Sequence, residues 1–104
     1  GANLEAKDDE ENTPLILAAS RGHVEVAQLL VAAGADLNLK DDKDMTPLIW
    51  AANKGRVEVA QLLVAAGADL NATDPDDMTP LMYAAYKGQV EVAQLLVAAG
   101  ADLN

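Results

Sequence analysis

Residue types that do covalent or metal chemistry are scarce in this chain. His23 is the only histidine and there is no cysteine to pair with it. It also occupies a place that later copies of the same pattern give to Arg56 and Gln89, as a surface position would. Three acidic runs, DDEE at 8–11, DDKD at 41–44 and DPDD at 74–77, supply the oxygen ligands that Ca²⁺ takes. They lack the spaced acids, central glycine and closing glutamate of an EF-hand loop and read as solvated turns. Asn71-Ala72-Thr73 fits the glycosylation acceptor pattern, which matters only on a secretory route. No glycine-rich phosphate loop is present, so the expectation is no catalysis, no cofactor and no metal.

Non-covalent recognition is a different matter. One Trp, two Tyr and no Phe leave packing to Ala, Leu and Val, so each aromatic position is informative. Trp50, Tyr83 and Tyr86 are residue types that concentrate binding energy when they meet a partner. A net charge of −10 excludes nucleic acid and anionic membranes as partners, since both require Lys and Arg to neutralise phosphates. The longest apolar runs are too short to span a bilayer and the start lacks a signal pattern, which implies a soluble, cytoplasmic-type protein. With 51% hydrophobic residues in 104, one folded domain is expected.

The elements that position these rings follow from an internal repeat. VEVAQLLVAAGADLN at 24–38 recurs verbatim at 57–71 and 90–104, a period of 33 residues that also links the three TPL motifs and Gly22, Gly55 and Gly88. The units are 1–33, 34–66 and 67–99, with a partial unit 100–104. In each, Thr caps a short helix and Pro takes its first position, where a missing N–H costs nothing. Gly55 stops that helix. A second helix runs from about Val57 to Ala66 and ends at Gly67. Glu58, Gln61 and Ala65 share its polar side, leaving Val57, Val59, Ala60, Leu62, Leu63 and Val64 to pack. Helices this short are marginal alone, and stacking unit on unit buries their apolar sides.

The order D..(D/E).TPL..AA..G..EVAQLLVAAGADLN, carried by the whole chain, resembles the ankyrin repeat. The resemblance implies an all-α repeat solenoid of three stacked units, an L-shaped stack with hairpin-like turns around 8–12, 41–45 and 74–78, and a protein-binding scaffold without catalytic machinery. Two departures stand out. Ile16, Ile49 and Met82 replace the histidine that usually follows TPL, which removes its hydrogen bond to the neighbouring Thr and loosens the expected first turn. Glu11, Asp44 and Asp77 stand where the family favours glycine at the turn tip. Asp tolerates a left-handed backbone better than Glu.

Comparing the copies shows what the stack needs. Of 33 positions, 20 are identical in all three units, and every difference lies outside the second helix. At about 100° per residue, Leu48, Ala51 and Ala52 cluster while Trp50, Asn53 and Lys54 lie opposite, and Tyr83, Tyr86 and Lys87 repeat the arrangement. The expected partner-binding set is therefore Met45, Trp50, Asn53, Lys54, Met78, Tyr83, Tyr86 and Lys87, the methionines flanking the rings from the turns. Lys43, Asp44, Asp76 and Asp77 form a secondary rim. The turns hold ten of the 17 acidic residues, which implies a solubilising edge or a partner with basic residues around an apolar patch.

Verbatim copying with variation on one surface resembles a designed, consensus-type ankyrin repeat protein carrying a binding face; a recent natural duplication would leave the same pattern. The alternatives are a consensus scaffold with no target and a designed self-assembling unit. The latter would bury the ends or the back of the second helices, at Gln28, Ala32, Gln61, Ala65, Gln94 and Ala98. The sequence starts and stops in the same phase without distinct capping repeats, so end-to-end self-association is also expected.

Overall fold

Three Thr-Pro-Leu motifs start three helices, and three copies of VEVAQLLVA form three more. The computed structural model describes residues 3–103. Its helices are α1 (Pro14–Arg21), α2 (Val24–Ala32), α3 (Pro47–Lys54), α4 (Val57–Ala65), α5 (Pro80–Lys87) and α6 (Val90–Ala98), with no strand among the described residues.

The expected capping forms in full. The N–H groups of Ile16, Ile49 and Met82 each donate to the hydroxyl of Thr13, Thr46 and Thr79 at 3.2 Å, so the first turns are satisfied without a histidine. Isoleucine has a packing role there instead: Ile16 and Ile49 are buried, whereas Met82 is 40% exposed. Basic Arg21, Lys54 and Lys87 occupy the last turns of α1, α3 and α5, where a helix carries partial negative charge. At the end of α4, Gly67 is left-handed at φ 95°. Ala68 N–H reaches back to the Leu63 carbonyl at 3.0 Å and Gly67 N–H to Val64 at 3.1 Å, which satisfies carbonyls that the helix end would otherwise leave open.

The helices stack in two rows, α1 on α3 on α5 and α2 on α4 on α6, and each unit's two helices pack on one another. Principal extents of 40 × 25 × 19 Å describe a short solenoid. Its core is built from Leu15, Leu48, Val59, Leu63, Val92 and Leu96, closed by small alanines that let neighbouring helices approach. In α4, Val59, Ala60 and Leu63 are fully buried, Val57, Leu62 and Val64 half-buried, and Glu58, Gln61 and Ala65 exposed, as the periodicity requires.

Side chains also tie unit to unit. Glu5 Oε2 accepts from the Asp36 N–H at 2.7 Å, Asn38 Oδ1 from Asp69 at 2.9 Å and Asn71 Oδ1 from Asp102 at 2.9 Å. Arg56 Nε donates to the Ser20 carbonyl at 3.2 Å and Gln89 Nε2 to the Asn53 carbonyl at 3.4 Å, each crossing to the preceding unit. Adjacent turns join where Asp42 N–H donates to the Glu10 carbonyl at 3.0 Å. Pro75 holds the matching place one unit later and has no N–H to give. There Lys40 Nζ donates to the Thr73 carbonyl at 2.8 Å.

Candidate functional site

The turns that precede α1, α3 and α5 set the geometry of the site. In each, the first aspartate's N–H donates to the carbonyl four residues on: Asp8 to Asn12 at 3.2 Å, Asp41 to Met45 at 3.1 Å and Asp74 to Met78 at 3.1 Å. The tip residues Glu11, Asp44 and Asp77, acids where the family favours glycine, are left-handed, at φ 60°, 59° and 61°. The same aspartates then fold their carboxylates back over the turn. Asp41 Oδ1 accepts from the N–H groups of Lys43 and Met45 at 2.9 and 3.0 Å, and Asp74 Oδ1 from those of Asp76 and Met78 at 2.9 Å each.

The second carboxylate oxygen needs a donor of its own, and each unit supplies one differently. Asn12 Nδ2 donates to Asp8 Oδ2 at 3.2 Å. Trp50 Nε1 donates to Asp41 Oδ2 at 2.8 Å. The Tyr83 hydroxyl donates to Asp74 Oδ2. Where the turn carries a donor, Asn12, the helix carries apolar Leu17; where the turn carries Met45 or Met78, the helix carries Trp50 or Tyr83. One donor per unit is conserved while its position moves.

This arrangement shifts two ionisations in the third unit. Burial, the largest single influence on Asp74, raises its pKa, but the Tyr83 hydroxyl, the N–H groups of Met78 and Asp76 and the charge of Lys40 together bring it below the ordinary value. Its partner Tyr83 is pushed up to about 12 by the hydrogen bond to Asp74, reinforced by burial and by the negative charges of Asp74 and Asp76. At the exposed Asp8, the N–H and side chain of Asn12 lower the carboxyl.

Several expectations are corrected here. Met45 is only 6% exposed, so it does not flank the rings at the surface. Met78 is half-buried. Tyr83 is half-buried against the core, and Trp50 is half-buried with its N–H committed to Asp41, so neither ring stands free of the fold. The acidic turns are not uniformly solvated either: Asp41 and Asp74, which cap their own turns, are 5% and 8% exposed, whereas Asp8 caps its turn and stays exposed. A signal for this was present, since position 8/41/74 alone among the acidic turn positions carries the same residue in every copy.

What remains accessible is a narrower surface. Tyr86 is 78% exposed. Asn53 is half-buried, and Lys54 and Lys87, which follow Asn53 and Tyr86 in sequence, are exposed. Lys43 and Lys54 hold their ammonium groups 5.6 and 5.8 Å from the Trp50 ring centroid, one from the turn and one from the helix end. Asp44, Asp76 and Asp77 are exposed on the rim. Among the described residues the one ion pair is Lys7 with Glu11, at 3.7 Å, so the lysines and acids of this face are not neutralised by one another. His23 is exposed, and no group of three or more His, Asp or Glu among the described residues is arranged to hold a metal.

A family model of ankyrin repeats matches the chain over residues 1–74 and again over 40–104, in three copies. The chain belongs to the ankyrin repeat family. No curated protein matches it. Ankyrin repeats are in general non-enzymatic modules of protein–protein interaction, and their stacked helices and turns are the elements described above. In this ankyrin domain no helix among the described residues is long and apolar enough to cross a membrane.

Proposed function

We propose that this ankyrin domain is an engineered, consensus-type module that binds a protein partner non-covalently through the exposed side of its first helices and turns. Tyr86 carries the reading. It is 78% exposed, and its counterparts are Ser20 and Asn53, so the fold has no use for an aromatic ring there. Trp50, half-exposed between two lysines, extends the contact surface, with Asn53, Lys54, Met78, Tyr83 and Lys87 around it. Lys43, Asp44, Asp76 and Asp77 form the rim. A partner with basic residues around an apolar patch complements the acidic turns, and complementary charge acts chiefly on encounter rate and orientation.

Panning a displayed library of protein fragments against the parent chain, with no variant as competitor, tests this. Recovered binders are expected to lose about 2 kcal/mol toward Tyr86→Ser and Trp50→Ala, the scale of an aromatic hot spot. Binders that engage the back of α2, α4 and α6 and ignore both substitutions would defeat the reading.

A second reading, a consensus scaffold without a target, draws on the donor exchange. Trp50 and Tyr83 each complete a turn that Asn12 completes in the first unit. Their presence is thus accounted for by folding alone, which leaves Tyr86 as the residue that separates the two readings.

A further inference from the structure

Each unit carries the same order of side chains along the exposed side of its first helix. Glu11, Asp44 and Asp77 stand exposed at the turn tips ahead of α1, α3 and α5. Leu17, Trp50 and Tyr83 are half-buried on the helices themselves, and four residues further on the same face Arg21, Lys54 and Lys87 are exposed in the last turns. Every set recurs at the 33-residue period, and α3 packs on α1 and α5 on α3. The sets therefore form three parallel rows across the stack: acidic, apolar and basic.

Neither charged row is neutralised from within, since the one ion pair among the described residues joins Lys7 to Glu11. Lys43, the one cation in the three acidic runs, holds its ammonium 5.6 Å from the Trp50 ring centroid, over the apolar row. A cation in a last turn suits the helix dipole, so the basic row serves folding and stays open to a partner's carboxylates. The spacing of the rows selects the shape of that partner. Eight helical residues, each rising about 1.5 Å, set the charged rows about 12 Å apart, and packed helices place successive members of a row about 8–10 Å apart. An α-helix with its side chains is about 10–12 Å wide and advances about 10.5 Å in seven residues. Width and repeat both match.

We infer that the partner segment is an amphipathic α-helix lying across α1, α3 and α5 with its apolar stripe on Leu17, Trp50 and Tyr83. Acidic side chains seven residues apart follow the edge over Arg21, Lys54 and Lys87, and basic ones follow the edge over the turn tips. The inference rests on the recognition face proposed above and adds the order of charges to it. Basic residues on both edges would set like charge against the Lys54 row. Turning the partner helix end for end exchanges its two edges, so the same order also fixes the direction in which it runs.

A displayed library of helices with a fixed leucine stripe and Lys or Glu free at every edge position, panned against the 104-residue chain, tests the inference. Recovered helices should carry Glu at seven-residue spacing on one edge and Lys on the other. Toward those helices the double variant Lys54→Gln, Lys87→Gln should lose about ten-fold in affinity at low salt and less at high salt, through slower association. Both lysines are exposed, so circular dichroism should show the variant folded. Selection of Lys on both edges, unsegregated charges, an affinity indifferent to the two lysines, or no recovered helix at all would overturn the inference. The recognition face is judged separately. An overturned helix beside fragment binders that still depend on Trp50 leaves that face standing, whereas binders of every kind that ignore Trp50 and the lysines dismiss both.

Discussion

The indole N–H of Trp50 donates to Asp41 Oδ2 at 2.8 Å, so the protein's largest side chain closes the turn that leads into its own helix. Asp41 is 5% exposed, and its other oxygen already serves two backbone N–H groups, so the indole supplies the donor for the second oxygen. Leaving such an acceptor unpaired costs on the order of 1–3 kcal/mol. Tyr83 meets the same demand at the buried Asp74 in the third unit, and Asn12 is the donor to the exposed Asp8 in the first, so positions five residues apart vary together.

Trp50→Leu should therefore destabilise the protein by about 2 kcal/mol, the deprived carboxylate and lost ring packing both contributing. Met45→Asn in the parent is also expected to be destabilising, since it puts an amide where a buried methionine packs and the indole already serves Asp41. In the Trp50→Leu background the new amide reproduces the Asn12/Leu17 pairing, and its cost should shrink or vanish. Urea unfolding of the four proteins measures the coupling, expected to exceed about 1 kcal/mol; a value within about 0.3 kcal/mol of zero would show the two positions to be independent.

Tyr83 offers a spectroscopic handle on the same contact. In a Tyr86→Phe background the phenolate absorbance reports Tyr83 alone, and half-ionisation is expected at about 12. Because that value is raised above the unfolded one, the stabilisation is fully present below pH about 10 and is lost as pH rises through about 12. Asp74 runs the other way. Its lowered pKa contributes stability above the ordinary carboxylate range, lost as pH falls through the depressed folded value. Asp74→Asn should bring the Tyr83 midpoint down toward 10 and abolish the acid-side contribution. An unchanged Tyr83 midpoint in that variant would show that the hydrogen bond does not set it.

Much of the scaffold was readable from residue types because the forces that shape it are local and repeated. Thr-Pro at a helix start, Gly past its end and the spacing of Val, Leu and Ala in VEVAQLLVA each dictate one conformation, and the 33-residue period dictates the stacking. The site was less legible. Helical periodicity placed Trp50 and Tyr83 opposite Leu48 and Leu81, which is correct as an angle, but an angle does not reveal that a carboxylate from the preceding turn waits on that side. Finding it required comparing positions 12 and 17 as a pair across the copies. The ties from Arg56 to Ser20 and from Gln89 to Asn53 were hidden for a related reason: both link one unit's variable side chain to another unit's backbone, which has no residue identity to read.

Glu11 sits at φ 60° with a long side chain, where an L-residue pays roughly 1–2 kcal/mol that glycine avoids. Glu11→Gly should raise stability by about 1 kcal/mol, since its one ion pair, with Lys7 at 3.7 Å, is exposed and contributes little. Asp44→Gly should gain less, because aspartate adopts this conformation more readily. Thermal or urea midpoints check the order. A loss of stability at Glu11 would mean that its exposed charge or side chain matters to the turn more than backbone strain does.

Tyr86 and Trp50 should differ in their contribution to stability while both contribute to affinity. Tyr86 is 78% exposed, donates no hydrogen bond to the fold among the described residues, and replaces Ser20 and Asn53, so Tyr86→Ser should leave the unfolding free energy within about 0.5 kcal/mol of the parent. Against a selected binder the same substitution should weaken affinity by ten-fold or more, about 1.4 kcal/mol at the least. Trp50→Ala should damage both stability and affinity, because that ring serves the Asp41 turn and faces solvent between Lys43 and Lys54. Trp50→Ala therefore cannot by itself separate recognition from folding, and Tyr86→Ser can. Substantial unfolding caused by Tyr86→Ser, with no selective loss of binding once the folded fraction is accounted for, would move that ring from the recognition surface into the architecture.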